Sequence, residues 1–266
     1  MLVLAFLATV VALAWWAGPG WRPRPLPGTD RPRPWRLGHR GARGPEGENT
    51  RTALRLALAT IDGVETDVQR SADGELVLFH DLAVGSLRVR DTESALLRDR
   101  IPGLATLEEL FVEARAHPGT ILNLELKTTG RPVRRGRLER AVVRAVRVSG
   151  LADRVLISSF DPLALARVRL LAPSLRTALL TAADAPRGLR GGAAARWLHV
   201  DALHPQNRQV DEALLRRCRA RGLPVHVWTV NDPARMRQLA AAGAGALIGD
   251  RPEELARYHA GEETEP

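Results

Sequence analysis

Apolar and polar residues alternate in short, regular segments along the chain from Trp35 onward. The clearest segment is LNLELK at positions 122–127, where a leucine stands at every second position and Asn123, Glu125 and Lys127 stand between them. Because successive side chains of a strand point to opposite faces, this pattern predicts a strand with one apolar and one polar face. A carboxylate and an ammonium group would then project together, away from the apolar packing layer.

Similar apolar runs predict further strands, and segments with apolar residues at helical spacing separate them. The predicted strands cover residues 35–38, 62–68, 75–79, 120–127, 155–158, 175–180, 197–200, 225–229 and 246–248. The predicted helices cover residues 50–60, 106–117, 137–148, 161–171, 210–221, 232–243 and 252–259. Thr106 and Glu109 have the spacing of a capping box, and Asp161 before Pro162 is typical of a helix start.

The alternation of about eight strands with helices over residues 35–260 predicts an α/β fold, a (β/α)8 TIM barrel. An open dinucleotide-binding sheet is disfavoured, because no GxGxxG motif follows the first strand. In a barrel of this kind, functional side chains lie where the strands end and the following loops begin. Polar residues at the ends of the predicted strands are therefore the candidates for chemistry.

A hydrophobic segment precedes the predicted barrel, and its first 17 residues contain no charged side chain. Seventeen helical residues span about 25 Å, close to the bilayer's hydrocarbon thickness of about 30 Å. Trp15, Trp16 and Trp21 are typical of an interfacial aromatic belt. We therefore predict a transmembrane or signal-anchor helix over residues 1–21. A cleaved signal peptide is the alternative, although no positively charged side chain opens the segment.

Residues 22–34 are rich in proline and arginine, which predicts an extended linker between this helix and the barrel domain. The linker's arginines would lie against anionic headgroups. Because this positive charge follows the hydrophobic segment, the positive-inside rule predicts a membrane-anchored protein whose body is cytoplasmic. A secreted or extracytoplasmic location is the alternative.

The composition narrows the set of partners. The 266 residues carry a formal net charge of +9, but arginines are scattered among glutamates, aromatic residues are few, and zinc-finger spacing is absent. We therefore expect no nucleic-acid partner; anionic lipids or phosphate-bearing substrates suit the charge better. Lys127 is the only lysine of the chain, and it stands two residues from Glu125.

Polar or aromatic residues end several predicted strands. They are His39, Arg40, Glu65, Asp67, His80, Glu125, Lys127 and Trp228. Three converging carboxylates need a counter-charge, and oxygen ligands suit Mg²⁺ or Ca²⁺. Two histidines can serve as general acid and base, while Arg40 and Lys127 can hold phosphate oxygens. Together these groups indicate metal-dependent hydrolysis of a phosphate ester.

These residues lie in a series of motifs that resembles the glycerophosphodiester phosphodiesterase family, a TIM-barrel group related to phospholipase C-like phosphodiesterases. The matching motifs are HRG at 39–41, ENT at 48–50, ExD at 65–67, LVLFHD at 76–81, LELK at 124–127, ISSF at 157–160, VWTVN at 227–231 and GDRPEEL at 249–255. They occur in the family's order and extend over residues 37–255.

The resemblance implies hydrolysis of a glycerophosphodiester to glycerol 3-phosphate and an alcohol. It implies these roles: His39 and His80 as the acid–base pair; Arg40, Lys127 and Trp228 as phosphate and substrate contacts; Glu65, Asp67 and Glu125 as metal ligands; and Glu48 as a supporting carboxylate. The loop after His80-Asp81 reads LAVGSLRV and departs from the family pattern, which leaves the alcohol group open.

Two alternatives accompany this prediction. A lysophospholipase D acting on membrane lysophospholipids would use the same residues, and the predicted anchor favours it. A non-catalytic barrel that binds phospholipid headgroups is the alternative from another class. It would have no need of two histidines positioned as general acid and base.

Overall fold

The structure is a computed structural model that describes residues 21–27, 31, 33–45, 47–128, 136–190 and 193–257, without the side chains of residues 187, 189, 193 and 196. The predicted hydrophobic helix at 1–21 lies outside the described residues except for Trp21, as do residues 258–260 of the predicted barrel domain. Within the described part of the chain, no helix combines the length and apolar character needed to cross a membrane.

Eight parallel strands form a nearly closed barrel, as predicted. They are β1 Trp35–Gly38, β2 Gly63–Arg70, β3 Ile121–Leu126, β4 Val155–Ser159, β5 Arg176–Thr181, β6 Ala202–Pro205, β7 His226–Trp228 and β8 Ala246–Gly249. Their order around the sheet is β6-β5-β4-β3-β2-β1-β8-β7. The parallel bridges Leu203–Val225 and Gln206–Trp228 link β6 to β7 and complete the circle.

Helices surround this sheet. The described helices are α1 Arg51–Thr60, α2 Ser94–Arg100, α3 Leu107–Ala116, α4 Arg137–Ser149, α5 Pro162–Leu171, α6 Arg187–Arg190, α7 Ala193–Trp197, α8 Glu212–Arg219, α9 Pro233–Ala241 and α10 Pro252–Arg257. Short 3-10 turns cover Val89–Asp91, Ala152–Arg154 and Asn207–Gln209. Thr106 and Glu109 form the predicted capping box at the start of α3.

Two predicted strands differ from the structure. Leu76–Leu78 pairs antiparallel with β2 and with Ala105–Thr106, so it is an addition to the edge of β2 and not a barrel strand. Residues 197–200 were predicted as a strand, but α7 ends at Trp197 and the barrel strand begins at Ala202. Local pattern could not show this shift, because the strand's start depends on pairing with β5.

The main core lies between the barrel and its helices. Leu122, Leu124 and Leu126 point outward from β3 into this core, as their alternation predicted. A smaller apolar cluster fills the inside of the barrel near the amino ends of the strands, and it includes Leu26 and Ile121. We call this end of the barrel the closed end, and the opposite end, where the strands finish, the mouth.

The described part of the predicted linker has no helix or strand, and it packs against the closed end. Leu26 joins the inner apolar cluster, and Arg24 makes a salt bridge with buried Asp201. Asp62 forms salt bridges with Arg31, Arg33 and Arg36, with nitrogen–oxygen distances of 2.7–2.9 Å. We call residues 21–27 the strap. The arginines in these pairs contact aspartates of the barrel, which differs from the expected contact with headgroups.

Candidate active site

Strands β2 and β3 bring three carboxylates together near the mouth. Glu65 and Asp67 lie two residues apart on β2, and the parallel register places Glu125 of β3 beside Asp67. One oxygen from each residue lies within 4.8 Å of the others, and all three residues are buried. No other cluster of metal-ligating groups with this geometry occurs among the residues that the structure describes.

Crowding and burial disfavour the charged forms of this triad. Burial raises the pKa of Glu65 well above its usual range, and the neighbouring charges of Asp67 and Glu125 raise it further. Burial and Asp67 also raise the pKa of Glu125 to about 7. The pKa of Asp67 is lowered, because contacts with Lys127, Asn49 and Arg40 outweigh its burial. A hard divalent cation is the kind of ligand that would restore full ionisation.

Two positively charged side chains, Lys127 and Arg40, contact the carboxylates of the triad. Lys127 Nζ is 2.6 Å from Glu125 Oε1 and 2.9 Å from Asp67 Oδ1. Arg40 Nε is 3.4 Å from Asp67 Oδ2, and the backbone N–H of Arg40 donates to Glu65 Oε2 at 3.0 Å. The lone lysine therefore occupies the position the sequence suggested, among the carboxylates. Among the described residues, the lysine and arginine side chains paired with these three buried acids are thus two in number.

The HRG segment makes a tight turn between β1 and the triad. Arg40 and Gly41 both have positive φ, of 55° and 80°. A Cβ added at Gly41 would lie 2.7 Å from the backbone of Ala53, so only glycine fits the turn beside α1. This close approach sets the direction in which the side chains of His39 and Arg40 leave β1.

The ENT segment supports the site through three different contacts. Glu48 is one-third exposed and accepts from Arg40 Nη1 at 2.6 Å, outside the triad. Buried Asn49, with φ of 57°, donates from Nδ2 to Asp67 Oδ2 at 2.9 Å. Thr50 caps α1 through its hydroxyl group. The motif signalled importance, but sequence reasoning assigned a role only to Glu48 and missed that of Asn49.

Asp250, at the end of β8, is a second residue that sequence reasoning left without a role. Its Oδ1 lies 2.7 Å from His39 Nδ1, and its Oδ2 accepts from Asn231 Nδ2 at 2.6 Å. The other ring nitrogen, His39 Nε2, lies 3.9 Å from Glu65 Oε2. His39 is thus held between a carboxylate that orients it and the triad.

His80 lines a cavity of about 310 Å³ that opens to solvent beside Glu125 and Lys127. Its Nδ1 is 2.8 Å from Asp81 Oδ1. The cavity walls combine charged groups with apolar side chains: His80, Asp81, Leu82, Glu125, Leu126, Lys127, Thr128, Ser159 and Phe160. A molecule in this cavity would contact His80 and Lys127 together.

Trp228, predicted to contact substrate, is only partly buried and lies next to one of the residues that line this cavity. Its indole N–H donates to His204 O at 2.8 Å, and its ring packs edge-on against Phe160 with centroids 5.6 Å apart. Phe160 itself lines the cavity. Of this aromatic pair, Phe160 is therefore the residue that forms the cavity wall, and Trp228 supports it.

Polar side chains also lie inside the barrel below the triad. His204 and His226 are fully buried, with His204 Nε2 and His226 Nδ1 2.8 Å apart. Burial lowers the pKa of both imidazoles, to about 4 for His226, so the pair is neutral near pH 7. Asn123 and Ser158 are also buried, and the described residues offer their side chains no hydrogen-bond partner.

Comparison with known proteins agrees with this fold. The model of the glycerophosphoryl diester phosphodiesterase family matches residues 39–254, which is most of the chain. The chain therefore belongs to this family.

A glycerophosphodiester phosphodiesterase of Caldanaerobacter subterraneus subsp. tengcongensis is 30% identical over 244 residues, covering 82% of this chain and 95% of that protein. A solved Oleispira antarctica phosphodiesterase in complex with the product sn-glycerol-3-phosphate has a TM-score of 0.76, with 26% identity over 84% of this chain and 95% of that one. A solved glycerophosphodiester phosphodiesterase of Parabacteroides distasonis has a TM-score of 0.73, with 25% identity over 83% and 94% of the two chains.

Proposed function

We propose that this protein hydrolyses glycerophosphodiesters to glycerol 3-phosphate and an alcohol, with the help of a divalent cation. The observation that carries the proposal is the buried triad of Glu65, Asp67 and Glu125, with Lys127 and the cavity beside it. Family membership supports the reaction class. The product complex of the Oleispira relative supports a glycerol phosphate ligand.

The triad fits a hard cation on its own chemistry. It offers only oxygen ligands, it is buried, and the raised pKa values of Glu65 and Glu125 show that the chain's own cations do not balance it. Mg²⁺ or Ca²⁺ held by these carboxylates would polarise the phosphoryl group and offset its negative charge. Lys127 and Arg40 would contact the non-bridging oxygens of the phosphate.

The two histidines lie near different acids of the triad, His39 beside Glu65 and His80 in the cavity wall with Glu125, and would divide the proton transfers. The attacking hydroxyl gives up its proton to one imidazole while its oxygen bonds to phosphorus; the phosphorus–oxygen bond to the alcohol breaks, and the other imidazole supplies the proton to the departing oxygen. Asp250 keeps the ring of His39 oriented. We assign the general acid and base to the pair jointly. Attack by water gives glycerol 3-phosphate directly, whereas attack by the substrate's own glycerol hydroxyl gives a cyclic phosphodiester that water then opens in a second step.

The decisive experiment measures glycerol 3-phosphate release from glycerophosphocholine by the full chain, with excess chelator and then with Mg²⁺ or Ca²⁺ added back. We expect chelator to abolish release and one of the cations to restore it. Unchanged release in excess chelator would overturn the metal assignment. Binding of glycerophosphocholine without any product, under every metal condition, would support the non-catalytic headgroup-binding barrel instead.

A lysophospholipase D activity is the second candidate, and a specific feature favours it. Leu82 and Phe160 line the cavity and are almost half exposed, so the cavity has an apolar wall beside His80. Such a wall could contact the acylglycerol part of a lysophospholipid. The experiment compares kcat/KM for glycerophosphocholine and for lysophosphatidylcholine, in wild type and in Phe160→Ala. If the acyl chain of the lysolipid contacts Phe160, the substitution should lower kcat/KM for lysophosphatidylcholine and leave the value for glycerophosphocholine unchanged.

A further inference from the structure

The closed end of the barrel carries exposed apolar side chains that the proposed reaction does not use. Val148, Leu170 and Trp197 are 81%, 72% and 66% exposed, more than the exposed large apolar residues near the cavity. Val148 and Leu170 are the next-to-last residues of α4 and α5, and Trp197 ends α7. Helices of a (β/α)8 barrel end at the face opposite the mouth, so all three lie at the closed end.

These side chains belong to neighbouring elements. Arg147 on α4 donates to Leu171 O, which joins the ends of α4 and α5. Trp21 of the strap stacks on His199, two residues beyond Trp197, with ring centroids 5.1 Å apart. The three apolar side chains therefore follow one another along this face, and the strap runs beside them.

The same face is basic. Exposed arginines occupy the last turns of α3, α4 and α8 or follow them: Arg115, Arg147, Arg217, Arg219 and Arg221. An arginine at a helix carboxyl end is favourable in any protein, because the helix dipole attracts it. Exposed tryptophan and leucine beside such arginines have no such general cause, and together they are typical of a surface that meets lipid headgroups.

The mouth carries exposed acidic groups of its own. Asp161, Asp211 and Asp232 cap the amino ends of α5, α8 and α9, which face the mouth. Asp81 lies at the rim of the cavity. Cations such as Arg43 also lie at the mouth, so exposed apolar side chains beside arginines distinguish the closed end from it.

The route of the chain points to the same face. The strap is held at the closed end by Arg24, which contacts Asp201, Ser174 O and Leu175 O, and by buried Leu26. Residues 1–17, which carry no charged side chain, join the described chain through Trp21. A hydrophobic segment and an apolar, basic surface thus converge on one end of the molecule.

We propose that the closed end of the barrel is a docking face for an anionic lipid surface, so that the mouth points into the aqueous phase. Val148, Leu170 and Trp197 would enter the headgroup region, and the neighbouring arginines would contact lipid phosphates. A consequence, which rests on the proposed function, is that substrate reaches the site from water. Soluble glycerophosphodiesters would then be preferred over lysophospholipids of the same bilayer.

The test uses two positions on one helix. Leu163 and Leu170 lie at opposite ends of α5, toward the mouth and the closed end, and both are more than half exposed. In the full chain carrying Cys218→Ser, which removes the only native thiol, a nitroxide is attached at Leu163→Cys or at Leu170→Cys. Its collisions with oxygen and with a water-soluble nickel chelate are measured in vesicles of phosphatidylglycerol and phosphatidylcholine.

We expect the label at position 170 to lose contact with the nickel chelate and gain contact with oxygen, while the label at 163 stays aqueous. Salt at about 1 M, where the Debye length is about 3 Å, should reverse much of the shielding. Two aqueous labels, or shielding at 163 alone, would overturn the proposal. If the label at 170 is shielded equally in vesicles of pure phosphatidylcholine, the requirement for an anionic surface is overturned.

Label accessibility does not depend on turnover, so the docking face and the proposed reaction can fail separately. Glycerophosphocholine hydrolysis by the same labelled proteins, measured in the same vesicles, reports on the reaction alone. Thermal unfolding of both variants, compared with the Cys218→Ser parent, shows that the labels leave the fold intact.

Discussion

Both ends of the barrel bury carboxylates beside cations, but in different proportions. At the closed end, Asp62 alone contacts three arginines, and Asp201 contacts Arg24 and Arg169. At the mouth, the three carboxylates of the triad share Lys127 and Arg40. Among the described residues, each of these closed-end acids has at least two arginine partners, whereas the three acids of the triad share two cations.

The pKa values follow this difference. Burial would raise the pKa of Asp62, but hydrogen bonds from Arg36, Arg33 and Arg31 outweigh it and hold the pKa well below its usual range. Burial raises the pKa of Glu125 to about 7 because Lys127 does not fully compensate. A carboxylate saturated with donors stabilises the fold, while a deficit of positive charge prepares a site for a ligand cation.

The largest effect is expected at the mouth, from substitution of its two histidines. His39→Ala and His80→Ala should each lower kcat for glycerophosphocholine by about 10²–10⁴-fold, because each removes one proton-transfer group. Steady-state kinetics at saturating metal measures the loss, and thermal unfolding should stay near wild type. A variant with wild-type turnover would remove that histidine from the pair.

Loss of a buried carboxylate at the closed end should lower the stability of the fold. Asp201→Asn removes the buried charge between Arg169 and Arg24, and breaking such a pair costs about 3–5 kcal/mol of unfolding free energy. Denaturant unfolding measures this loss, while turnover of the folded fraction should be unchanged. Asp153→Asn, an exposed acid at the same end, is the matched control and should stay close to wild type. Equal stability of the two variants would contradict the comparison.

A smaller effect is expected where an acid at the mouth orients another group. Asp250→Asn should lower kcat by about 10–100-fold with little change in KM, because His39 loses the carboxylate that orients its ring. The double variant with His39→Ala should be no slower than His39→Ala alone, since the two residues act together. Additive losses would show that Asp250 acts independently of His39.

The smallest effect concerns pH. Because the pKa of Glu125 is raised to about 7 in the metal-free protein, a binding cation must displace a proton below that pH. Cation affinity should rise about tenfold per pH unit for each proton displaced and stop rising, as far as Glu125 is concerned, above about pH 7. Calorimetry in buffers of different ionisation heat counts the protons. Proton release that is unchanged in Glu125→Gln would assign the titration to another group.

The raised pKa of Glu125 also makes the stability of the fold depend on pH. The folded pKa of Glu125 lies above its unfolded value, so the stability this group contributes is present at low pH and lost as the pH rises through about 7. Bound cation should remove that loss. Added Mg²⁺ or Ca²⁺ should therefore raise the midpoint of thermal unfolding more at pH 8 than at pH 6.

Much of the architecture could be predicted from local patterns, since alternation in strands and capping at helix starts are properties of short segments. The capping box of Thr106 and Glu109 and the outward leucines of β3 are examples. The start of β6 was misplaced, and the segment Leu76–Leu78 was taken for part of the regular series. Pairing with another strand decided both, and a single segment carries no information about its partner.

For the site, the motifs alone placed the acids, both histidines and the single lysine at strand ends, because residue type and position along a strand are written in the chain. Only the tertiary structure decided which groups touch. It joined Asp250 to His39 across more than 200 residues of sequence, placed Asn49 on Asp67, and packed Trp228 against Phe160. It also folded the arginines of the predicted linker onto the closed end, where they add to the counter-charges of buried Asp201 and largely buried Asp62.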